Sequence, residues 1–211
     1  EMHTYDINAE GRYVRLLFED GTDDIVDNIK VVELVEVKVL TPLSSAATTT
    51  APAVTQVRVV LPGDSERLNR IVGVFARQVE SRCPAKVSTS GRAPLTIALK
   101  LDPDIGKEGY RIRDGAAGTI EVIGQNDRGV LYGLGKLLRT SRFSAAGFEP
   151  GGWRGESVPR KPVRGIYFAT HFHNFYHDGP VEEVQRYVED LALWGCNTLM
   201  VWYDMHHFNG F

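Results

Sequence analysis

Apolar residues alternate in some stretches of this chain and recur every three to four residues in others, and the two periods divide it into elements. Leu68, Ile71, Val72, Phe75, Ala76 and Val79 fall on one face at helical spacing. The stretch just before them, with Asp64 or Ser65 as N-cap, predicts where that helix starts. A second helix is predicted over 127–139, with Val130, Leu131, Leu134, Leu137 and Leu138 inward. Strands are predicted at "QVRVVL" (56–61) and "LTIALKL" (95–101). "EGYRIRD" and "GTIEVIG" alternate in the manner of strands and are separated by the turn residues "GAAG". The predicted order β-α-β-β-β-α describes a small sheet backed by two helices.

The pattern then changes character. Residues 142–162 are rich in Gly and Pro and read as a connection. "VRGIYFAT" (163–170) and "NTLMVWY" (197–203) hardly alternate, as in strands buried on both faces. Between them Pro180 suits a first helical turn. Val181, Val184, Tyr187, Val188, Leu191 and Trp194 mark a helix face, and Gly195 is a natural stop. A β-α-β unit of this kind implies a parallel sheet. Upstream, "RYVRLLF" (12–18) and "VVELVEVKV" (31–39) read as strands around the turn cluster "EDGTDD". They are followed at 41–55 by "TPLSSAATTTAPAVT", whose composition buries too little apolar area to order itself and reads as a linker.

Composition narrows the function classes. A net charge of −3 over 211 residues gives no electrostatic case for nucleic acid or an anionic membrane. No apolar run reaches the ~18 residues that suggest a bilayer span. Cys83 and Cys196 sit in no CxxC pair and read as buried free thiols. The chain begins with Glu1 and stops soon after a strand-like run, so it reads as a piece of a longer protein. The glycines of "GQNDRG" and "YGLG" lack the GxGxxG spacing of a nucleotide-binding turn.

Residues 106–139, "GKEGYRIRDGAAGTIEVIGQNDRGVLYGLGKLLR", carry a family resemblance. The "EGY" (Glu108, Gly109, Tyr110), the alternating strands and the "GxxYG" helix (Gly129, Tyr132, Gly133) resemble the accessory domain before the catalytic barrel of β-N-acetylhexosaminidases. Related accessory domains precede the barrels of α-glucuronidases. "VPRKPVRG" (158–165) is similar to the segment those families place before and in the first barrel strand. Residues 1–40 resemble the end of a discoidin-like β-sandwich. The resemblance implies an α/β architecture: the last strands of a β-sandwich (1–40), a linker (41–55), an α+β accessory domain (56–158) and the first β-α-β of a (β/α)8 TIM barrel (159–211). It further implies a secreted, periplasmic or cell-surface glycoside hydrolase acting on oligo- or polysaccharides, with the rest of the same polypeptide completing the barrel. The alternative is a non-catalytic carbohydrate-binding or adhesion module.

Glycoside hydrolysis uses two carboxyl functions, or one acid and a substrate acetamide, at the C-terminal ends of barrel strands. The resemblance implies that the catalytic pair comes from polypeptide after Phe211; pairs such as Asp23–Asp24 and Glu182–Glu183 read as solvated turn and helix surface. Arg164 occupies the place of an arginine that binds sugar hydroxyls in hexosaminidases; the other reading is an arginine that packs at the barrel base or pairs with an acid. Ala169 and Phe172 stand where that family has an Asp and a second Arg, so a different sugar is implied, whereas His173 and Asn197 match. His171 and His173 alternate on an extended segment, and Asp204 and His206 follow the next strand. These four are candidates for sugar hydrogen bonding. Their types also suit zinc, but no HExxH-like motif supports a metal, and no cofactor is called for. His177 and His207 read as surface residues. Tyr167, Phe168, Phe172, Phe175, Tyr176, Trp202 and Tyr203 suit either a sugar cleft or a core.

Overall fold

The computed structural model describes residues 25–26, 29–30, 52–169, 175 and 179–202. The chain divides into two compact units, Glu1–Ala46 and Ala47–Phe211. In the first, β1 (Ile25–Val26) and β2 (Ile29–Lys30) pair antiparallel. The strands expected at 12–18 and 31–39 lie outside the described residues.

The second unit is a mixed α/β fold. Its strands are β3 (Gln56–Val60), β4 (Lys86–Ser88), β5 (Leu95–Leu101), β6 (Tyr110–Asp114), β7 (Thr119–Gly124), β8 (Arg142–Ser144), β9 (Gly147–Glu149) and β10 (Gly155–Ser157), with helices α1 (Glu66–Glu80) and α2 (Asp127–Thr140). Six strands form one sheet in the order β10-β6-β7-β5-β3-β4. β5 lies parallel to β3 and β7, β4 is parallel to β3, and β6 and β10 run antiparallel at the other end. Four of these strands escaped the sequence pattern. β4, the β8–β9 hairpin and β10 are three residues per strand, too short for alternation to declare itself. Val54 exchanges backbone hydrogen bonds with Phe148, so the end of the Thr/Ser/Ala/Pro segment is already built into this unit.

The core follows from the two periods. Val57 and Val59 of β3, Leu95, Ile97 and Leu99 of β5, and Ile120 and Val122 of β7 alternate inward against Leu68, Val72, Phe75 and Val79 of α1. From α2 come Val130, Tyr132, Leu134, Leu137 and Leu138. Ile71, Ala76 and Leu131 are half-buried at the margins. Ser65 caps α1 by accepting from the Leu68 N–H, and Asn126 caps α2 by accepting from the Gly129 N–H. The opposite sheet face is polar: Glu121 accepts from Lys100 and Arg113, and Arg111 bridges Glu156 and Asp102. Exposed pairs of this kind contribute roughly 0–1 kcal/mol each.

A β-α-β unit packs onto the outer side of the two helices. β11 (Gly165–Ala169) and β12 (Thr198–Trp202) pair in parallel, Gly165 opposite Thr198, joined through α3 (Val181–Leu193). Gly195 (φ 99°) stops the chain after α3 in a conformation that favours glycine. The face that periodicity suggests for α3 is the covered one along its middle, where Val184, Tyr187, Val188 and Leu191 are half-buried, but not at its ends. Val181 and Trp194 are 66% and 70% exposed, whereas Leu193 is buried and joins the core of the first layer. Trp194 instead lies against the Arg139 guanidinium, 4.5 Å from its ring centre. Nor are the strands covered on both faces: Tyr167, Leu199, Met200 and Val201 are all exposed.

α2 and α3 meet at Gly135. A Cβ there would sit 1.9 Å from the Leu193 carbonyl oxygen, a contact no side chain tolerates. Arg139 donates to the same oxygen at 2.5 Å, while Arg77 and Gln78 of α1 reach Glu189 and Asp190 of α3. Gly135→Ala must push the helices apart and is expected to cost about 3 kcal/mol, read as a lowered urea midpoint. An unchanged midpoint refutes the close approach.

Candidate functional site

Glu108 is the buried charged residue of the described chain, 5% exposed, in the loop that joins β5 to β6. The loop is held from within. Asp102 donates its N–H to Gly124 O, Ile105 to Asp102 O and Gly109 to Gly106 O. The Glu108 N–H donates to Gln125 Oε1 at 3.2 Å, and Gln125 N–H returns to Gly109 O at 2.9 Å. The backbone of Glu108 is left-handed (φ 56°), the one non-glycine residue so placed among those described. That conformation costs roughly 1–2 kcal/mol, and an outlier of this kind persists when its surroundings over-determine it.

What over-determines it is the carboxylate. Oε2 accepts from Arg164 Nη2 at 2.6 Å and from Asn197 Nδ2 at 3.0 Å; Oε1 accepts from Arg128 Nη1 at 2.7 Å. The three donors belong to three places in the fold: the first turn of α2, the residue before β11 and the residue before β12. Burial alone pushes the carboxyl pKa up. The hydrogen bonds from Arg164, Arg128 and Asn197 outweigh it and hold the pKa at about 2, against an ordinary 4.5. Glu108 is thus permanently ionised near neutral pH and unsuited to donate a proton as a general acid.

Arg164 is engaged on every nitrogen of its guanidinium. Besides Glu108, Nε donates to Gly195 O and Nη1 to Lys161 O, both at 2.8 Å. The group lies 5.4 Å from the centre of the Tyr132 ring. Burial and the Glu108 charge push the Tyr132 phenol pKa upward, which keeps that ring neutral. The Arg164 main chain is tied to Asn197 in both directions. Its N–H donates to Asn197 Oδ1 at 3.0 Å, and its carbonyl accepts from Asn197 N–H at 2.7 Å. The cluster therefore sits at the N-terminal ends of β11 and β12. Those ends lie about 15 Å from the C-terminal ends, where β/α barrels place their chemistry.

Of the residues expected to touch a sugar, the structure places Arg164 in this cluster. His171, His173, Asp204 and His206 lie outside the described residues, as do His177 and His207. Among the described residues no group of three or more His, Cys, Asp or Glu is disposed to hold a metal. Nor, among them, is any helix long and apolar enough to cross a membrane. Phe168 is buried and stacks on Tyr187 at 5.9 Å, and Phe175 meets the same ring edge-on. Cys83 and Cys196 are free and half-buried. Cys196 lines a cavity of about 280 Å³ between α2, α3 and the strand pair, whose walls include Leu131, Ile166, Val188 and Leu199.

The "GxxYG" glycines turn out to be packing positions. A Cβ on Gly129 would lie 2.2 Å from Gly109 O, so the first turn of α2 rides directly on the loop that carries Glu108. "GQNDRG" supplies a helix cap in Asn126 and a partner for the carboxylate in Arg128. The role of Glu108 itself was missed by sequence reasoning, although "EGY" was singled out. The available signal was a charged residue beside a glycine that leads straight into an alternating strand.

Comparison with known proteins bears on this arrangement. Residues 41–148 match the profile described as Glycosyl hydrolase family 20, domain 2. Among solved structures, the family 20 β-N-acetylhexosaminidase of Streptomyces coelicolor A3(2) is similar at 22% identity, covering 72% of this chain and 32% of that one, with a TM-score of 0.53. The family 20 exo-β-N-acetylglucosaminidase of Vibrio harveyi is similar at 20% identity, covering 72% and 23%, with a TM-score of 0.52. The β-N-acetylhexosaminidase of Bacteroides fragilis NCTC 9343 gives 17%, 72% and 29%, with a TM-score of 0.53. At these identities the likeness is one of fold, and the chain spans about a third or less of the length of each. No curated protein matches it.

The carboxylate makes a pH prediction. With its pKa depressed on folding, Glu108 contributes stability that is complete above pH about 4.5 and is lost as pH falls toward 2. The contribution is of order 3 kcal/mol. Glu108→Gln is expected to be less stable at neutral pH and to show a flatter stability profile across that acid window in urea titrations. Parallel profiles for the two proteins contradict the assignment.

Proposed function

The chain belongs to glycosyl hydrolase family 20, whose domain 2 it carries over residues 41–148, and from that premise we propose that it is part of a glycoside hydrolase cleaving O-glycosyl bonds in oligo- or polysaccharides. The match over more than half of the chain is the observation that carries this reading. Its support is the continuity of that domain with a parallel β-α-β unit in one compact body. That unit is the opening of a (β/α)8 barrel. The exposed apolar faces of its two strands are those a complete barrel covers with its other strands and helices. Catalytic carboxylates come from later strands. His171, His173, Asp204 and His206, following the C-terminal ends of β11 and β12, are the sugar-contacting candidates of this segment. The four follow the strand ends at which barrel enzymes bind their substrates. Arg164 contributes as a cation at the base of the strands, where three of its five N–H donors go to Glu108, Lys161 and Gly195. Residues 1–40 are the end of a discoidin-like module, and the protein works outside the cytoplasm.

N-acetyl-β-hexosaminides are the first substrates to test, because the similar solved enzymes are described by that activity, and other glycosides stand beside them because Ala169 and Phe172 imply a different sugar. The full-length protein is expected to release nitrophenol from para-nitrophenyl N-acetyl-β-glucosaminide or from another member of a nitrophenyl glycoside panel. Residues 1–211 alone are expected to release none. Failure of the full-length protein on every glycoside of the panel refutes the enzyme reading, and turnover by the segment alone refutes the placement of the carboxylates.

A further inference from the structure

We infer that Glu108 is a positioning residue for the sugar cleft, acting through Arg164 and Asn197 on the strands that carry it; the inference rests on the glycosidase reading above. The accessory fold touches the β-α-β unit in two ways. α3 is held by Gly135, Arg139, Arg77 and Gln78 against its C-terminal half. The strands are held at their base, where Glu108 is the charged contact among the described residues. Its Oε2 takes one donor from the residue before β11 and one from the residue before β12, at 2.6 and 3.0 Å. Those two residues are bonded to each other through both backbone and side chain. One carboxylate oxygen thus fixes the relative start of two parallel strands and anchors both to the accessory domain.

Packing holds one face of the pair, where Phe168 is buried and stacks on Tyr187, and the other face is open among the described residues. Leu199, Met200 and Val201 are 43%, 61% and 51% exposed. A strand pair behaves as a lever: a tilt of about 5° at the base moves ends about 15 Å away by roughly 1 Å. A displacement of that size at a reacting centre costs on the order of a hundredfold in rate. The left-handed backbone of Glu108 has the same explanation. The carboxylate it carries meets Arg128 of its own domain on one oxygen and the base of the strands on the other, and those bonds sustain its conformational cost.

The test uses the full-length enzyme with para-nitrophenyl N-acetyl-β-glucosaminide, or whichever glycoside of the panel the wild type hydrolyses. Glu108→Gln is expected to raise KM about fivefold and lower kcat about tenfold or more, in protein shown by its unfolding curve to be folded. A role confined to stability lowers the active fraction and with it kcat alone, so a KM within about twofold of wild type overturns the inference. Arg128→Met removes one donor and leaves the Arg164 contact in place, which keeps the test open where Glu108→Gln does not fold. Its KM is expected to rise about twofold to threefold, and an unchanged KM counts against the inference. Amide exchange separates failure of this inference from failure of the glycosidase reading. Whether or not any glycoside is hydrolysed, Glu108→Gln is expected to speed exchange at Ile166, Phe168 and Leu199 by about tenfold and leave Val122 and Leu134 protected. Equal loss at both sets, or none, overturns it.

Discussion

A carboxylate withdrawn from water has to be answered by donors on each of its oxygens, and the donors that answer Glu108 come from 20, 56 and 89 positions further along the chain. That requirement ties together parts of the fold that hydrophobic burial alone leaves free to slide. Apolar surfaces are non-directional; they press α3 onto α1 and α2 without fixing where two strands begin. The directional bonds of one buried anion supply what is missing. The strain at Glu108 and the convergence of Arg128, Arg164 and Asn197 follow from that one charge.

The glycines serve the same end by sterics. Gly129 lets α2 settle onto the Glu108 loop, which brings Arg128 within reach of Oε1. Gly135 lets α3 settle onto α2, which brings Leu193 into the shared core and leaves Trp194 over Arg139. Helix-to-helix and loop-to-helix distances are thus set by absent side chains, and the ion cluster closes within the space they leave. A motif that reads as glycine-rich is here a set of backbone contacts rather than a cradle for phosphate.

Much of the fold was legible in the sequence because its helices bury one face and its central strands one side. Leu68, Val72, Phe75 and Val79 announce α1, and Ile97, Leu99 and Val122 alternate as their strands require. The three-residue strands were not legible, since so few positions show no period. The face of α3 was legible at Val184, Tyr187, Val188 and Leu191 and misread at Val181 and Trp194, because spacing reports which residues share a side and not how far along the helix its neighbours reach. The candidate site divides similarly. Arg164 and Asn197 stood out through a family pattern, but their common partner did not. A single glutamate beside a glycine looks like any solvated loop residue until the chain has folded and its three donors have arrived.

Joined in this way, Glu108 and Arg164 stabilise the fold as one unit across the boundary between accessory domain and strand pair. A double-mutant cycle measures this most directly, with urea unfolding of wild type, Glu108→Gln, Arg164→Met and the double variant. A coupling of at least about 1.5 kcal/mol is expected, the second substitution costing far less once the first is present. Additivity within about 0.5 kcal/mol would contradict this and show that the two residues act independently.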